Sequence, residues 1–182
     1  MKELVVKVEQ WGVSKSLDTS NPATQVLKVI SEFGELADGV AKQDKDEVAD
    51  AAGDVTVTII ISHYQLDIKF EFVESENIYT IADATHALAN IIEIVDIIIA
   101  LREDDINHFA VERYERKYKE QCQVVLNFAS QTANDFGFTL EETLEIAYNV
   151  IKNRTGYTNE NGTFILMIRR PPRSTLFPYT TL

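Results

Sequence analysis

Proline is scarce in this chain of 182 residues: there are four, and three of them lie within the last 17 residues. Pro22 is therefore the one proline in residues 1–165, so little in that stretch interrupts long helices. The seven glycines form no glycine-rich phosphate loop. A single cysteine, Cys122, excludes an internal disulfide, fits a reducing compartment and leaves no Cys/His cluster of the kind that binds zinc.

Basic residues are also few, with 17 Lys and Arg against 29 Asp and Glu, which gives a net charge of −12. Such an excess of negative charge argues against a nucleic-acid backbone as a partner. The N-terminus lacks the apolar stretch of a signal peptide. The longest apolar runs, such as Ile97–Leu101, are far shorter than the roughly 20 residues that cross a bilayer. We therefore expect a soluble cytoplasmic protein with neither a nucleic-acid nor a membrane partner.

Helical periodicity dominates what is present. Apolar residues recur at helical spacing, and Thr139 to Glu142 form a capping-box signature that opens a last helix. Between two of the helices, Lys69–Val73 alternates polar and apolar residues, so a short extended piece is the alternative there. The pattern predicts an all-α helical bundle with helices at residues 2–16, 22–42, 45–66, 79–102 and 111–135 and from residue 140 onward.

Two of these predicted helices, 22–42 and 45–66, carry acidic pairs. The first helix contains Glu32-x-x-Glu35, and the second contains Glu47-x-x-Asp50. Spacing of three residues places each pair on one helix face. The short connection predicts that the two helices pack antiparallel, so that their acidic stripes converge on one pocket.

The second acidic helix raises a question of charge. From residue 48 to residue 62 its only charged residues are Asp50 and Asp54, and a helix that is apolar all round is normally buried. A buried carboxylate is costly without a positive partner, and the segment contains no Lys or Arg. A divalent cation held by carboxylate oxygens is the simplest remedy, and Mg²⁺ is the expected ion. The alternative is that the acidic pairs form solvated helix faces.

The last 17 residues, 166–182, differ from the rest of the chain. They contain three arginines and no acidic residue, which leaves a net charge of −15 on residues 1–165. They show neither a helical period nor clean alternation, and they resemble a translated sequencing-adapter read. We expect one domain in residues 1–165 and a foreign, unstructured tail in residues 166–182 that replaces the native C-terminus.

The acidic pattern resembles that of the all-α nucleotide pyrophosphohydrolases of the MazG-like superfamily, and the phage-type members in particular. Residues 47–55 resemble the second acidic helix of that family, with Trp11 and residues 25–28 upstream of it. The closing segment, 144–156 followed by Asn161-Gly162, is also similar. The resemblance spans most of residues 1–165.

The resemblance implies Mg²⁺-dependent hydrolysis of a nucleoside or deoxynucleoside triphosphate to the monophosphate and pyrophosphate. It assigns Mg²⁺ to Glu32, Glu35, Glu47 and Asp50, with Asp54 joining them or orienting a ligand or a water. Glu35 is the candidate for the carboxylate that activates the attacking water. The resemblance also implies a homodimer or homotetramer with sites completed between subunits.

Substrate contacts are expected from four cations and one aromatic residue. Lys28, Lys42, Lys152 and Arg154 are the cations best placed along the sequence to meet phosphate oxygens. For each of them an ordinary surface position is the alternative; for Lys152 and Arg154 that position is a helix C-terminus, where cations are favourable. Trp11 is either a stacking platform for the base or a core residue.

Two positions depart from the family pattern, and two rival functions remain. Many relatives have a glutamate where this chain has Ala51, and the expected lysine after the Asn-Gly-x-Phe piece coincides with the start of the tail. A di-iron carboxylate bundle is one rival. It requires Glu-x-x-His pairs, for which Asp83-x-x-His86 and Asp105-x-x-His108 are poor substitutes. The other rival is a helical module that binds Mg²⁺-nucleotide or a partner without turnover.

Overall fold

The computed structural model describes residues 1–103, 108–159 and 164–166. The predicted all-α class is confirmed, because six helices account for most of these residues, and the predicted helix bounds agree within three residues. The helices are α1 (Lys2–Ser14), α2 (Pro22–Lys42), α3 (Lys45–Gln65), α4 (Ile81–Glu103), α5 (His108–Asp135) and α6 (Leu140–Ile151). The proposed foreign tail, apart from Leu166, lies outside the described residues, as do Asp105 and the Asn161-Gly162 pair.

A small hairpin follows α6 and was not predicted. Its strands β1 (Gly156–Thr158) and β2 (Phe164–Leu166) pair antiparallel, with Tyr157 opposite Ile165. The Thr158 hydroxyl donates to the Lys15 carbonyl just after α1, so the hairpin begins beside the end of the first helix. Three-residue strands are too short to show alternation in the sequence.

Local capping explains why α2 and α3 start and stop where they do. The side chain of Asn21 accepts a hydrogen bond from the first turn of α2, and Pro22 occupies the first helical position. Gln43 then adopts a left-handed conformation, with φ of 56°, which ends α2. The carboxylate of Asp44 accepts from two backbone N–H groups of α3 at 3.1 Å each. The chain therefore passes from one acidic helix to the next through two residues.

Helix α3 lies at the centre of the fold and contacts α1, α2, α5 and α6. Glycine allows two of these approaches. A Cβ at Gly12 of α1 would lie 2.5 Å from the Cδ1 atom of Ile61. A Cβ at Gly53 would overlap the carbonyl oxygen of Thr143 in α6. Because these helices pack so closely on α3, only a narrow strip of its surface stays open.

The segment between α3 and α4 is held by three amide side chains of α5. Gln123, Asn127 and Gln131 are spaced four residues apart and therefore lie on one helix face. Each amide accepts from one backbone N–H and donates to one backbone C=O of the segment. The bridged residues are Glu71 with Val73, Val73 with Ser75, and Asn77 with Tyr79.

The same hydrogen bonds bear on the extended piece expected as an alternative at Lys69–Val73. Backbone groups two residues apart that face the same partner are characteristic of an extended chain. Within the described residues, however, this stretch pairs with helix side chains and not with a second strand. The alternation in its sequence reflects the burial of Phe70 and the partial burial of Phe72 beside exposed Lys69 and Glu71.

Helix α4 is the one helix in the described part of the chain that is long and apolar enough to cross a membrane, judged by length and composition. The search for uninterrupted apolar runs overlooked it, because single polar residues divide its apolar positions. In the structure, 39% of its most apolar window is buried. Core helices of water-soluble proteins pass the same test, so the finding is weak evidence for a membrane span.

Replacing Asn127 with leucine tests the amide contacts. Asn127 is 2% exposed, and leucine has a similar size but cannot satisfy the backbone groups of Val73 and Ser75. We expect the free energy of unfolding, measured by urea denaturation, to fall by about 1–3 kcal/mol. Asn90→Leu is the control: Asn90 is exposed and bonds to the Gln121 side chain, so its replacement should change stability by less than about 0.5 kcal/mol. Equal losses in both variants would contradict a role for the amides in holding the segment.

Candidate functional site

The two acidic helices lie against each other. Near their connection, a Cβ at Gly39 would lie 3.1 Å from the backbone nitrogen of Val48. Farther away, the Gln25 side chain donates to the carbonyl oxygen of Thr58 at 3.2 Å. Gly39 thus permits direct contact between α2 and α3.

The five candidate metal ligands differ in exposure. Glu32 is buried, with 7% of its surface exposed, while Glu47 and Asp54 are partly buried. Glu35 and Asp50 are exposed. The set therefore lines the edge of the α2–α3 contact, with its buried end at Glu32 and its open end at Glu35 and Asp50.

One expectation about burial is wrong. Helix α3 is buried along most of its length, as predicted, but Asp50 is exposed and Asp54 is only partly buried. The physical reason is that Glu47, Asp50 and Asp54 share one side of α3, and this side is the strip that the neighbouring helices leave uncovered. A helical-wheel projection of α3 predicts that these residues share one side, but it does not show which parts of that side the neighbouring helices cover.

The carboxylates act on one another electrostatically. Burial and then the nearby charges of Glu32 and Asp50 raise the pKa of Asp54 to about 7, while Arg154 opposes the shift. The pKa of Glu35 is also raised, by partial burial and then by the charge of Glu32. These four carboxylates, from two helices, therefore lie within one another's field.

Two of the candidate phosphate-binding lysines contact candidate metal ligands. Lys28 Nζ lies 2.7 Å from Glu32 Oε1. Lys42 Nζ donates to both carboxylate oxygens of Glu47, at 3.0 and 3.2 Å, and lies 2.5 Å from Asp38 Oδ2. Hydrogen bonds to Asp38 and Glu47 raise the pKa of Lys42 well above its usual value. Asp38 escaped the sequence analysis, although its position one turn before Lys42 could have revealed it.

The other three candidate substrate contacts fall in different places. Arg154, just beyond α6, is close enough to Asp54 to lower its pKa, so a cation from outside α3 partly compensates this carboxylate. Lys152, the first residue after α6, donates instead to Asn149 Oδ1 in the last turn of that helix at 2.6 Å. Trp11 is partly buried and packs against the hydrophobic core, the alternative left open by the sequence.

The carboxylates do not converge on a single point. Among the described residues, no group of three or more Asp, Glu, His or Cys side chains is arranged to hold one metal ion. The carboxylates thus affect one another's pKa values but do not lie at the distances needed to bind one ion together. These distances are a stricter test of a metal site than the electrostatic effects. The chemistry of the donors nonetheless fits Mg²⁺, which prefers carboxylate oxygens, and rotation of long glutamate side chains would be needed to gather them.

A stretch of the chain is similar to the "Uncharacterized 18.2 kDa protein in rep-hol intergenic region" of Haemophilus phage HP1 (strain HP1c1). The two sequences are 39% identical over 62 residues, which is 34% of this chain and 38% of the phage protein. The phage relative agrees with the phage-type character expected from the sequence, and its description gives no activity. No family model matches the chain. No solved structure matches it significantly.

The raised pKa of Asp54 predicts how stability depends on pH. An aspartate that titrates at 3.8 when unfolded and at about 7 when folded adds stability below pH 4, and this stability is lost as the pH rises to 7. Asp54→Asn removes that loss, so its melting temperature should exceed that of the wild type by more at pH 8 than at pH 4. Thermal unfolding followed by circular dichroism measures the difference.

The comparison with the wild type is necessary because His63 acts in the opposite direction. Burial lowers the pKa of His63 to about 4, so its contribution to stability is lost as the pH falls from 6.5 to 4. The difference between the two proteins cancels this effect. Asp96→Asn, at an exposed position of α4, is the control and should show no such pH trend. If the melting temperature of Asp54→Asn exceeds that of the wild type by the same amount at every pH, the pKa of Asp54 is not raised.

Proposed function

We propose that the protein hydrolyses a nucleoside or deoxynucleoside triphosphate to the monophosphate and pyrophosphate, with Mg²⁺ as its cofactor. The observation that carries this proposal is the cluster of mutually interacting carboxylates on α2 and α3, in which Asp54 has a pKa of about 7. A partly buried group of negative charges attracts a divalent cation. A triphosphate cannot approach such a group unless cations lie between them.

The proposal places the site on an antiparallel pair formed by α2 and α3. The contacts support this arrangement, since Gly39 lies next to Val48 near the connection and Gln25 reaches Thr58 farther from it. Residue numbers that fall along one helix while they rise along the other indicate opposite directions. The two acidic stripes then flank one groove.

Each carboxylate has a proposed role. Glu32, Glu47 and Asp50 supply oxygen ligands to Mg²⁺ together with Glu35, and Asp54 joins them or orients a ligand or a water. When bound, the ion supplies charge stabilisation for the phosphate oxygens during cleavage of the α–β anhydride bond. Glu35 accepts the proton of the attacking water. Its raised pKa supports this role, because a stronger base removes a proton more readily.

Substrate binding is assigned to the surrounding cations and to Trp11. Arg154 is the best supported, because it acts on Asp54 from beyond the end of α6. Lys28 and Lys42 contact the same carboxylate groups, Lys152 lies two residues before Arg154, and Trp11 would stack against the base. We further propose a cytoplasmic homodimer or homotetramer, in which a neighbouring subunit completes the site.

A second candidate is a module that binds Mg²⁺-nucleotide without hydrolysing it. It is favoured by Ala51, which is 3% exposed and occupies the position where many members of the resembled family have a glutamate. One carboxylate fewer weakens the hold on the metal. It is favoured as well by the lack of a gathered ligand set among the described side chains.

Pyrophosphate release from a panel of nucleoside and deoxynucleoside triphosphates, with and without Mg²⁺, distinguishes the two functions. We expect Mg²⁺-dependent release by the wild type. Glu35→Gln should lower kcat at least about a hundredfold, the usual contribution of a general base. Its binding of Mg²⁺-nucleotide, measured by calorimetry, should be weakened far less. Glu93→Gln, at an exposed position of α4, is the matched control and should retain full activity.

Two other results would change the conclusion. Tight binding of Mg²⁺-nucleotide by the wild type with no release from any substrate would favour the binding module. If the wild type shows neither binding nor release at millimolar Mg²⁺, both functions are excluded for this site.

A further inference from the structure

The lysines nearest the acidic site are occupied by its carboxylates. Lys28 Nζ is 2.7 Å from Glu32 Oε1, and Lys42 Nζ contacts both oxygens of Glu47 at 3.0 and 3.2 Å. Both glutamates are proposed metal ligands, and both lysines are proposed phosphate contacts. Phosphate oxygens would therefore compete with these glutamates for the three N–H donors of each lysine.

The two glutamates need a positive partner to different degrees. The Glu32 side chain is 10% exposed, whereas that of Lys28 is 49% exposed, so the pair consists of a buried anion and an exposed cation. Without a cation, Glu32 would be a charge stranded at the helix interface. Glu47, with a side chain 32% exposed, shares Lys42 with Asp38, and this pair is closer to solvent.

A divalent ion and an ammonium group compete for these oxygens. Both need the same lone pairs, and two cations within about 4 Å of one another repel strongly. Lysine is suited to leaving, because its charge is compact and its four-carbon stem is flexible. From their present positions at the carboxylates, the ammonium groups are also near the phosphates that a metal ion would bring.

We propose that Lys28 and Lys42 are exchangeable counter-ions of the site: they neutralise Glu32 and Glu47 in the metal-free protein and transfer to phosphate oxygens when a divalent ion takes the carboxylates. The inference rests on the proposed function. It adds that the metal and the nucleotide bind cooperatively. The metal takes the place of each lysine at its carboxylate, and the nucleotide supplies the phosphate oxygens that the displaced lysine then contacts. Such cooperativity is reciprocal in binding free energy.

Metal binding without nucleotide tests the exchange directly. Mn²⁺ is the probe, and its free concentration is followed by electron paramagnetic resonance with the whole chain of 182 residues. Lys28→Met and Lys42→Met should each bind Mn²⁺ alone roughly three- to tenfold more tightly than the wild type, since no ammonium group has to be displaced. If a lysine served only to bind phosphate, its replacement would not increase the affinity for Mn²⁺ in the absence of nucleotide.

Lys69→Met is the matched control. Lys69 pairs with Glu71 at 2.5 Å, outside the acidic site, so this variant removes the same charge and a similar ion pair. Its Mn²⁺ affinity should change less than twofold. Lys42→Met keeps the test valid if Lys28→Met does not fold, because Lys42 is exposed and its replacement leaves no fully buried anion. Lys28→Arg, which keeps the charge beside Glu32, should not show the gain.

A second measurement examines the coupling. A non-hydrolysable triphosphate analogue should tighten Mn²⁺ binding to the wild type, and this factor should fall at least threefold in Lys28→Met and Lys42→Met. If both variants bind Mn²⁺ no more tightly than Lys69→Met while the wild type binds metal and releases pyrophosphate, the counter-ion proposal is wrong and the proposed function stands. If the wild type neither binds Mn²⁺ nor releases pyrophosphate, both are wrong.

Discussion

The structure depends on one constraint: α3 has to be covered on nearly all sides while it carries carboxylates. Fourteen of its residues are buried beneath four neighbouring helices. The remaining strip holds Glu47, Asp50 and Asp54, and α2 brings Glu32 and Glu35 to the same edge. Between the exposed ends of α3, the acidic site is thus the part of the central helix that packing leaves open, and the buried residues around it concentrate its negative charge.

Charge compensation for the carboxylates of α3 comes from other elements, and it links the site to the C-terminal part of the fold. Helix α6 approaches α3 at Gly53, one residue before Asp54. Arg154 follows the end of α6 and acts on Asp54. A side chain at position 53 would push α6 away, so the glycine sets both the packing distance and the position of the arginine. The sequence showed that residues 48–62 contain no Lys or Arg, but not that Arg154, 100 residues after Asp54, lies close to it.

The helices could be predicted because their signals are local. Asn21 and Asp44 cap α2 and α3, Thr139 and Glu142 form the capping box of α6, and apolar residues recur at helical spacing. The exposure of Asp50 could not be predicted, because it depends on how far the neighbouring helices extend. The amide contacts of Gln123, Asn127 and Gln131 were also beyond reach, since their partners lie about 50 residues away along the chain.

Ion pairs show the same division between local and distant effects. Lys28 and Glu32 are four residues apart on one helix, a spacing that makes contact expected. Lys42 and Glu47 belong to different helices, and their contact depends on the turn at Gln43. The sequence identified each of these residues but gave the cations and the anions separate roles. Proximity in the folded chain is what makes the two roles compete.

The count of charges at the site gives a reason for Ala51. Five carboxylates are proposed as ligands, and Lys28, Lys42 and Arg154 act on them among the described residues, with Lys42 shared with Asp38. The metal-free site therefore carries more negative than positive charge, which favours a divalent ion. A glutamate in place of Ala51, at a position that is 3% exposed, would add a sixth and buried negative charge. Because burying an uncompensated carboxylate is costly, a site of this composition suits one ion, and a chain with the additional glutamate would need a further cation.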